Sequence, residues 1–269
     1  MPGAVNFAGL RQVFLDMDGT IYEGDHLYDC TLPFLNFLKS RGINYAFITN
    51  NSSFSTPEYV EKLTRMNVPC TAENFYTSTD FAIDYLKTNH PEIKKIYWFG
   101  MPKPAVHFQE AGFELVDENT LPDAVVLGFD RDVTYNKLCR SAYLLQQGIP
   151  GFATHPDPVC PSDKPTCLVD CGAITHCIEY ATGKKLTVLG KPNPEMLRLA
   201  ACRRNVSIDQ CLMCGDRLKT DIAVGRNSGA FTAWISPVPC GDEVPEAGKP
   251  HVNVKDLGVL QKMWEDSLR

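Results

Sequence analysis

Apolar residues fall along this chain in short unbroken blocks, each ended by a polar or glycine-bearing turn. Between the blocks lie longer stretches whose apolar positions recur with helical period. A block with no polar alternation suits a strand covered on both faces, and strands alternating with helices predict an α/β fold with a mostly parallel sheet. Strands are expected at 13–16, 44–49 and 75–77, then at 96–100, 113–116, 124–128 and 151–154, and finally at 186–190, 210–215, 230–235 and 251–254. Helices are expected at 31–41, 81–88, 104–111, 135–147, 172–181, from 194, at 222–227 and at 256–268, with a small hairpin flap at 21–27. Ser55 and Glu58 form a capping box with Pro57 at an early helical position. Asn193 is placed to cap a helix that has Pro194 first.

Composition narrows the partners. The chain has 269 residues, 44% of them apolar, and a formal charge of -6, so it can bury a sizeable core but offers no basic field to a nucleic acid. No apolar run is long enough to span a membrane, and the start Met1-Pro2-Gly3-Ala4-Val5-Asn6 lacks the basic and apolar regions of a secretion signal, so a cytoplasmic location is expected. Eleven cysteines are many, yet several sit inside apolar periodic segments, as reduced thiols do. Neither the group His155, Cys160, Cys167, Cys171, His176 and Cys177 nor the isolated Cys211-Leu-Met-Cys214 has the paired spacing of a structural zinc site.

The chemistry collects at strand ends, where open parallel sheets place their sites. The first strand ends in Asp16-Met17-Asp18-Gly19-Thr20, the second in Thr49-Asn50-Asn51-Ser52, a later one leads into Lys191, and another ends in Asp216 with Asp221 beyond it. Such an inventory suits phosphoryl transfer. Asp16 would attack phosphorus in line to give an aspartyl phosphate, and Asp18 would protonate the leaving alkoxide and then activate water. Crowded carboxylates call for a hard cation, Mg²⁺, held by the Asp16 side chain, the Asp18 main-chain carbonyl and Asp216. Thr49 with the main-chain amide of Asn50 would hold phosphoryl oxygens, and Lys191 would offset the remaining charge. Asp221 stands behind these groups or caps the helix that follows.

Asp-x-Asp-Gly-Thr, the strand-end Thr49, Gly190-Lys191-Pro192 and Gly215-Asp216-x₄-Asp221 resemble the four motifs of the haloacid dehalogenase (HAD) superfamily. Asp18 is the acid that distinguishes its phosphatases from its dehalogenases. Thr49-Asn50-Asn51-Ser52, Gly190-Lys191-Pro192-Asn193-Pro194 and Gly215-Asp216-Arg217-Leu218-Lys219-Thr220-Asp221-Ile222 are similar to the NagD-like, 4-nitrophenylphosphatase branch, subfamily IIA, over nearly the whole chain. The interval between Asp18 and Thr49 is too short for an inserted domain, while that between Thr49 and Lys191 is ample, which is the type C2 arrangement.

The resemblance implies a Rossmann-like core at 1–80 and 184–269 with a smaller α/β cap at 81–183. It also implies a Mg²⁺-dependent phosphomonoesterase acting on a small phosphorylated metabolite, such as a nucleoside monophosphate, sugar phosphate or pyridoxal phosphate, with 4-nitrophenyl phosphate as generic substrate. Asn51 joins Thr49 and Asn50 at the phosphate on the same grounds, and the arrangement leaves room for a homodimer through the cap. The alternatives are a phosphotransferase or phosphomutase of the same superfamily and a catalytically silent binding module. Relatives commonly read Thr-Asn-Pro-Asp in the cap loop where this chain has Thr154-His155-Pro156-Asp157. His155 and Asp157 are therefore expected to face the substrate and set specificity, with the Asp130-Arg131 turn next in line.

Overall fold

The apolar block at residue 13 becomes the strand Gln12–Leu15, buried at every position. It runs parallel between Cys211–Gly215 on one side and Asn44–Thr49 on the other, with Leu15 level with both Cys214 and Phe47. Across this six-stranded sheet the order is Val252–Val254, Phe231–Ile235, Cys211–Gly215, Gln12–Leu15, Asn44–Thr49, Phe75–Thr77. Because neighbouring strands point the same way and stop at nearly the same level, the residues that leave their C-terminal ends emerge along one edge. Cys211 and Cys214 are wholly buried in the core of this sheet.

The computed structural model describes residues 5–160, 165–241 and 243–269. Contacts divide them into two units: Met1–Thr49, Val60–Tyr76 and Lys191–Arg269 form the first, and Asn50–Tyr59 with Thr77–Gly190 the second. In the first unit, the helices Thr31–Ser40 and Leu257–Ser267 meet around Trp264, whose ring lies 5.0 Å from that of Phe7 and 5.6 Å from that of Phe37. A buried tryptophan in such aromatic company is a large apolar contribution from one side chain.

The second unit has its own sheet, ordered Thr187–Val188, Gly151–Ala153, Ala124–Leu127, Lys95–Phe99, Glu114–Leu115, with every pair parallel. Phe99, Leu127, Leu144, Ala153, Ile174 and Ile178 pack into one core between this sheet and the helices Tyr135–Gln146 and Cys171–Thr182. The ends of this unit have local causes. Thr77 and Asp80 close a reciprocal capping box that starts the helix Ser78–Asn89 in this unit. Thr187–Val188 pairs with Gly151–Ala153 and so belongs to the second sheet.

Two elements depart from the sequence expectation. A short antiparallel hairpin, Val159–Cys160 with Leu168–Val169, is not among the strands expected above, and residues 161–164 lie outside the described residues. The helix expected from residue 222 is preceded by a single π-helical turn, Leu218–Ile222, before Ala223–Ser228. Among the described residues no helix is long and apolar enough to cross a membrane.

Candidate active site

Asp16 leaves the central strand with its main-chain N–H donating to Cys214 O at 2.9 Å, which fixes the start of the turn. Gly19 then takes a φ of +84°, in the left-handed region that glycine enters freely. Its missing side chain matters as much as its φ. A Cβ there would lie 2.6 Å from Asp216 Oδ2, so only glycine lets this turn approach the neighbouring strand end. Asp18 Oδ2 accepts a hydrogen bond from the Tyr22 hydroxyl at 3.1 Å, with Tyr22 wholly buried.

Lys191 is the hub of the site. Its ammonium donates to Asp16 Oδ1 in a very close contact, to Asp221 Oδ1 at 2.7 Å and to Ile48 O at 3.3 Å. It therefore reaches the last strand residue before Thr49, and Thr49 is itself buried. Lys191 is 3% exposed, so an extended solvated lysine is not what this position holds. The helix that follows starts with Asn193 accepting from Glu195 N at 3.1 Å and with Pro194 in its first turn, a cap of about 1 kcal/mol that fixes where the lysine leaves the chain.

Asp221 reaches Lys191 because Gly215 lacks a side chain: a Cβ there would lie 2.2 Å from Asp221 Cβ. The π-helical turn widens the backbone enough to carry Asp221 back under the strand end, a known use of π-bulges at functional sites. Both Asp221 oxygens are engaged, Oδ1 by Lys191 and Oδ2 by the Arg217 N–H at 3.0 Å. It thus supports the lysine rather than capping the next helix. Asp216 is steadied from the other side, where the Trp234 indole donates to its main-chain carbonyl at 2.8 Å.

Carboxylate oxygens of Asp16, Asp216 and Asp221 all lie within 4.8 Å of one another. Burial pushes the Asp16 carboxyl well above the ordinary range, against the pull of Lys191 and with help from Asp221 and Asp216. Burial, then Asp221, raises the Asp216 carboxyl to about 6, with Arg217 and Lys191 opposing. Burial alone would lower the Lys191 pKa, but Asp16 and Asp221 together lift it above that of an ordinary lysine. Asp216 Oδ1 is buried with no hydrogen-bond partner among the described residues. An orphaned carboxylate oxygen beside two further acids is the donor set a hard divalent cation takes.

One consequence is measurable without turnover. A carboxyl with folded pKa about 6 against an ordinary 3.8 contributes stability that is fully present below about 3.8 and lost as pH rises through about 6. With a chelator present, the melting temperature of the parent relative to Asp216→Asn should fall between about pH 4 and pH 7. A constant offset over that range would show that Asp216 titrates as an ordinary surface acid.

The remaining expected residues lie in the second unit. Asn50 donates from Nδ2 to Asp157 Oδ2 at 3.0 Å. Asn51 Oδ1 accepts from the N–H and hydroxyl of Ser53 at 2.9 and 2.7 Å, so its side chain shapes the turn after Thr49. His155 is wholly buried, with Nε2 on Asp170 Oδ1 at 2.9 Å and Nδ1 facing Thr154 Oγ1 at 3.0 Å and Ser52 Oγ at 3.5 Å. Its ring nitrogens are turned inward onto protein partners, where sequence reasoning expected them to face the substrate. Tyr22, Ser52, Asp170 and Trp234 were not foreseen. Only Asp170 left a signal, an acid just before a helical apolar run, and it does accept from Cys171 N as a helix cap.

Comparison with known proteins agrees with this geometry. The haloacid dehalogenase-like hydrolase family model matches residues 13–114, and a HAD-hydrolase-like model matches residues 188–257. The acid sugar phosphatase of Staphylococcus haemolyticus is 30% identical over 247 residues, covering 91% of this chain and 93% of that protein. The 5'-nucleotidase YutF of Bacillus subtilis is 29% identical over 221 residues, covering 82% and 85%. Among solved structures, the 4-nitrophenylphosphatase of Thermotoga maritima superposes with a TM-score of 0.87 at 35% identity, covering 95% of this chain and 98% of that one. NagD of E. coli K-12 superposes with a TM-score of 0.84 at 25% identity, covering 93% and 97%. With the acids, the lysine and the strand-end threonine all in one sheet edge, the chain belongs to the haloacid dehalogenase superfamily of phosphatases, in its NagD-like branch.

Proposed function

We propose that this protein is a Mg²⁺-dependent phosphomonoester hydrolase that acts on small phosphorylated metabolites through an aspartyl phosphate. The observation that carries the reading is the buried Lys191 bridging Asp16 and Asp221 beside the unpartnered Asp216 Oδ1. Asp16, Asp216 and the Asp18 main-chain carbonyl would hold the ion. When bound, it supplies positive charge that offsets the approach of a phosphate dianion to a site already rich in carboxylates.

The chain's own groups do the rest. Asp16 must be ionised to attack, and Lys191 favours that form against the desolvation that opposes it. An Asp16 oxygen bonds to phosphorus as the ester oxygen departs in line, and Asp18 gives that oxygen its proton. Asp18, now a carboxylate, takes a proton from water, whose oxygen attacks phosphorus and returns Asp16 with release of inorganic phosphate. Thr49 and Lys191 serve the phosphoryl oxygens, with donors set before the charge develops. Tyr22 holds the Asp18 carboxyl through its hydroxyl. A silent binding module would have no use for both acids, and the position of the inserted unit counts against a mutase.

The substrates named for the relatives above, sugar phosphates, a 5'-nucleotide and 4-nitrophenyl phosphate, define the panel. Phosphate release from that panel should need Mg²⁺ and stop when a chelator is added. Equal release with and without the metal would exclude the metal-assisted reading.

A further inference from the structure

We infer that the buried His155–Asp170 pair is a positioning element for phosphoryl transfer, because it clamps Ser52 and Gly190 and so sets where the chain delivers Thr49 and Lys191. The inference rests on the phosphatase reading above and assigns a role to residues that it leaves unused. His155 is 0% exposed and Asp170 3%, too buried for either to meet a substrate. Asp170 Oδ1 also accepts from Cys171 N at 2.6 Å, so the imidazole is tied to the start of the twelve-residue helix Cys171–Thr182.

The other side of the ring holds the turn after Thr49. Thr154 Oγ1 donates to Ser52 Oγ at 3.1 Å and lies 3.0 Å from His155 Nδ1, while Ser52 Oγ accepts from Phe129 N at 2.8 Å. Ser52 follows Thr49 by three residues. Gly190 directly precedes Lys191 and packs against the same knot. A Cβ on Gly190 would lie 2.6 Å from Thr154 O, 2.8 Å from Asn50 Oδ1 and 2.9 Å from His155 Cβ. Gly172 closes the knot from the helix side, where a Cβ would lie 2.0 Å from Pro156 O. Ser52 is thus held by the hydrogen bonds of this buried network and Gly190 by close packing against it, so the two points from which the chain runs on to Thr49 and Lys191 are held by the same knot.

Misplacing a phosphate-facing group by about 1 Å can cost on the order of 10²-fold in rate, even when the change lies far from the chemistry. His155→Ala and Ser52→Ala should then lower kcat about tenfold or more on 4-nitrophenyl phosphate and on larger esters alike, with KM moving much less. Both variants are assayed with saturating Mg²⁺, at a temperature where circular dichroism shows them folded. A purely structural role would lower the melting temperature and leave kcat of the folded protein at the parental value, and that result overturns the inference. Loss confined to KM for bulky esters overturns it too, since it would mean direct substrate contact. If His155→Ala does not fold, Ser52→Ala decides alone, because it leaves the His155–Asp170 pair intact. Absence of phosphate release by the parent on every ester would instead refute the phosphatase reading itself.

Discussion

Asp16→Asn should abolish phosphate release, by more than about 10⁴-fold, while the protein still folds. The amide keeps the shape of the side chain but has no lone pair charge with which to displace an alkoxide, so the first of the two displacements cannot start. Lys191 retains Asp221 at 2.7 Å and Ile48 O at 3.3 Å, which leaves its ammonium partnered in the variant. Folding is checked by circular dichroism and turnover by phosphate release from 4-nitrophenyl phosphate. A folded variant that keeps more than a few per cent of the parental kcat would rule out the covalent route and point to direct attack by water.

Asp18→Asn should divide substrates by their leaving groups. Without an acid to protonate the departing oxygen, alkyl phosphates should lose roughly 10²–10⁴-fold in kcat, whereas 4-nitrophenyl phosphate, whose phenolate leaves without a proton, should lose much less. Tyr22 gives the variant a neutral partner, because its hydroxyl reaches the carboxamide oxygen as it reaches Asp18 Oδ2 at 3.1 Å. The geometry of the turn is thereby kept while the proton is removed. Burst kinetics separate the two halves of the reaction, since the variant should also be slow to hydrolyse the covalent intermediate. Losses of equal size on both classes of ester would assign Asp18 to the metal or the fold and leave the acid unidentified.

The residues of the candidate site at the sheet edge were legible because their placement is local. An unbroken apolar block that ends in a polar turn reads as a buried strand and its exit, so Asp16, Thr49 and Asp216 could be put at strand ends without knowing the sheet order. Their convergence needed the parallel register that sets Leu15 level with Cys214 and Phe47. What escaped was decided by partners distant in sequence or by a backbone defect. A histidine in a proline-rich loop reads as exposed and available; its burial follows from Asp170, fifteen positions on, which nothing in the loop announces. The π-helical turn has no composition of its own, and with it went the placement of Asp221 on Lys191. Thr187–Val188 looks like the approach to Lys191 but pairs with Gly151–Ala153 in the second sheet.

Gly19 and Gly215 give the site a property that belongs to its history as well as to its chemistry. Each faces a carboxylate at a distance where one added carbon atom would collide, Asp216 for the first and Asp221 for the second. No neighbouring substitution relieves such a collision unless the carboxylate itself moves, and the carboxylates are what the site is for. Drift is closed at these two positions, so a library randomising both should return glycine at each in every active clone.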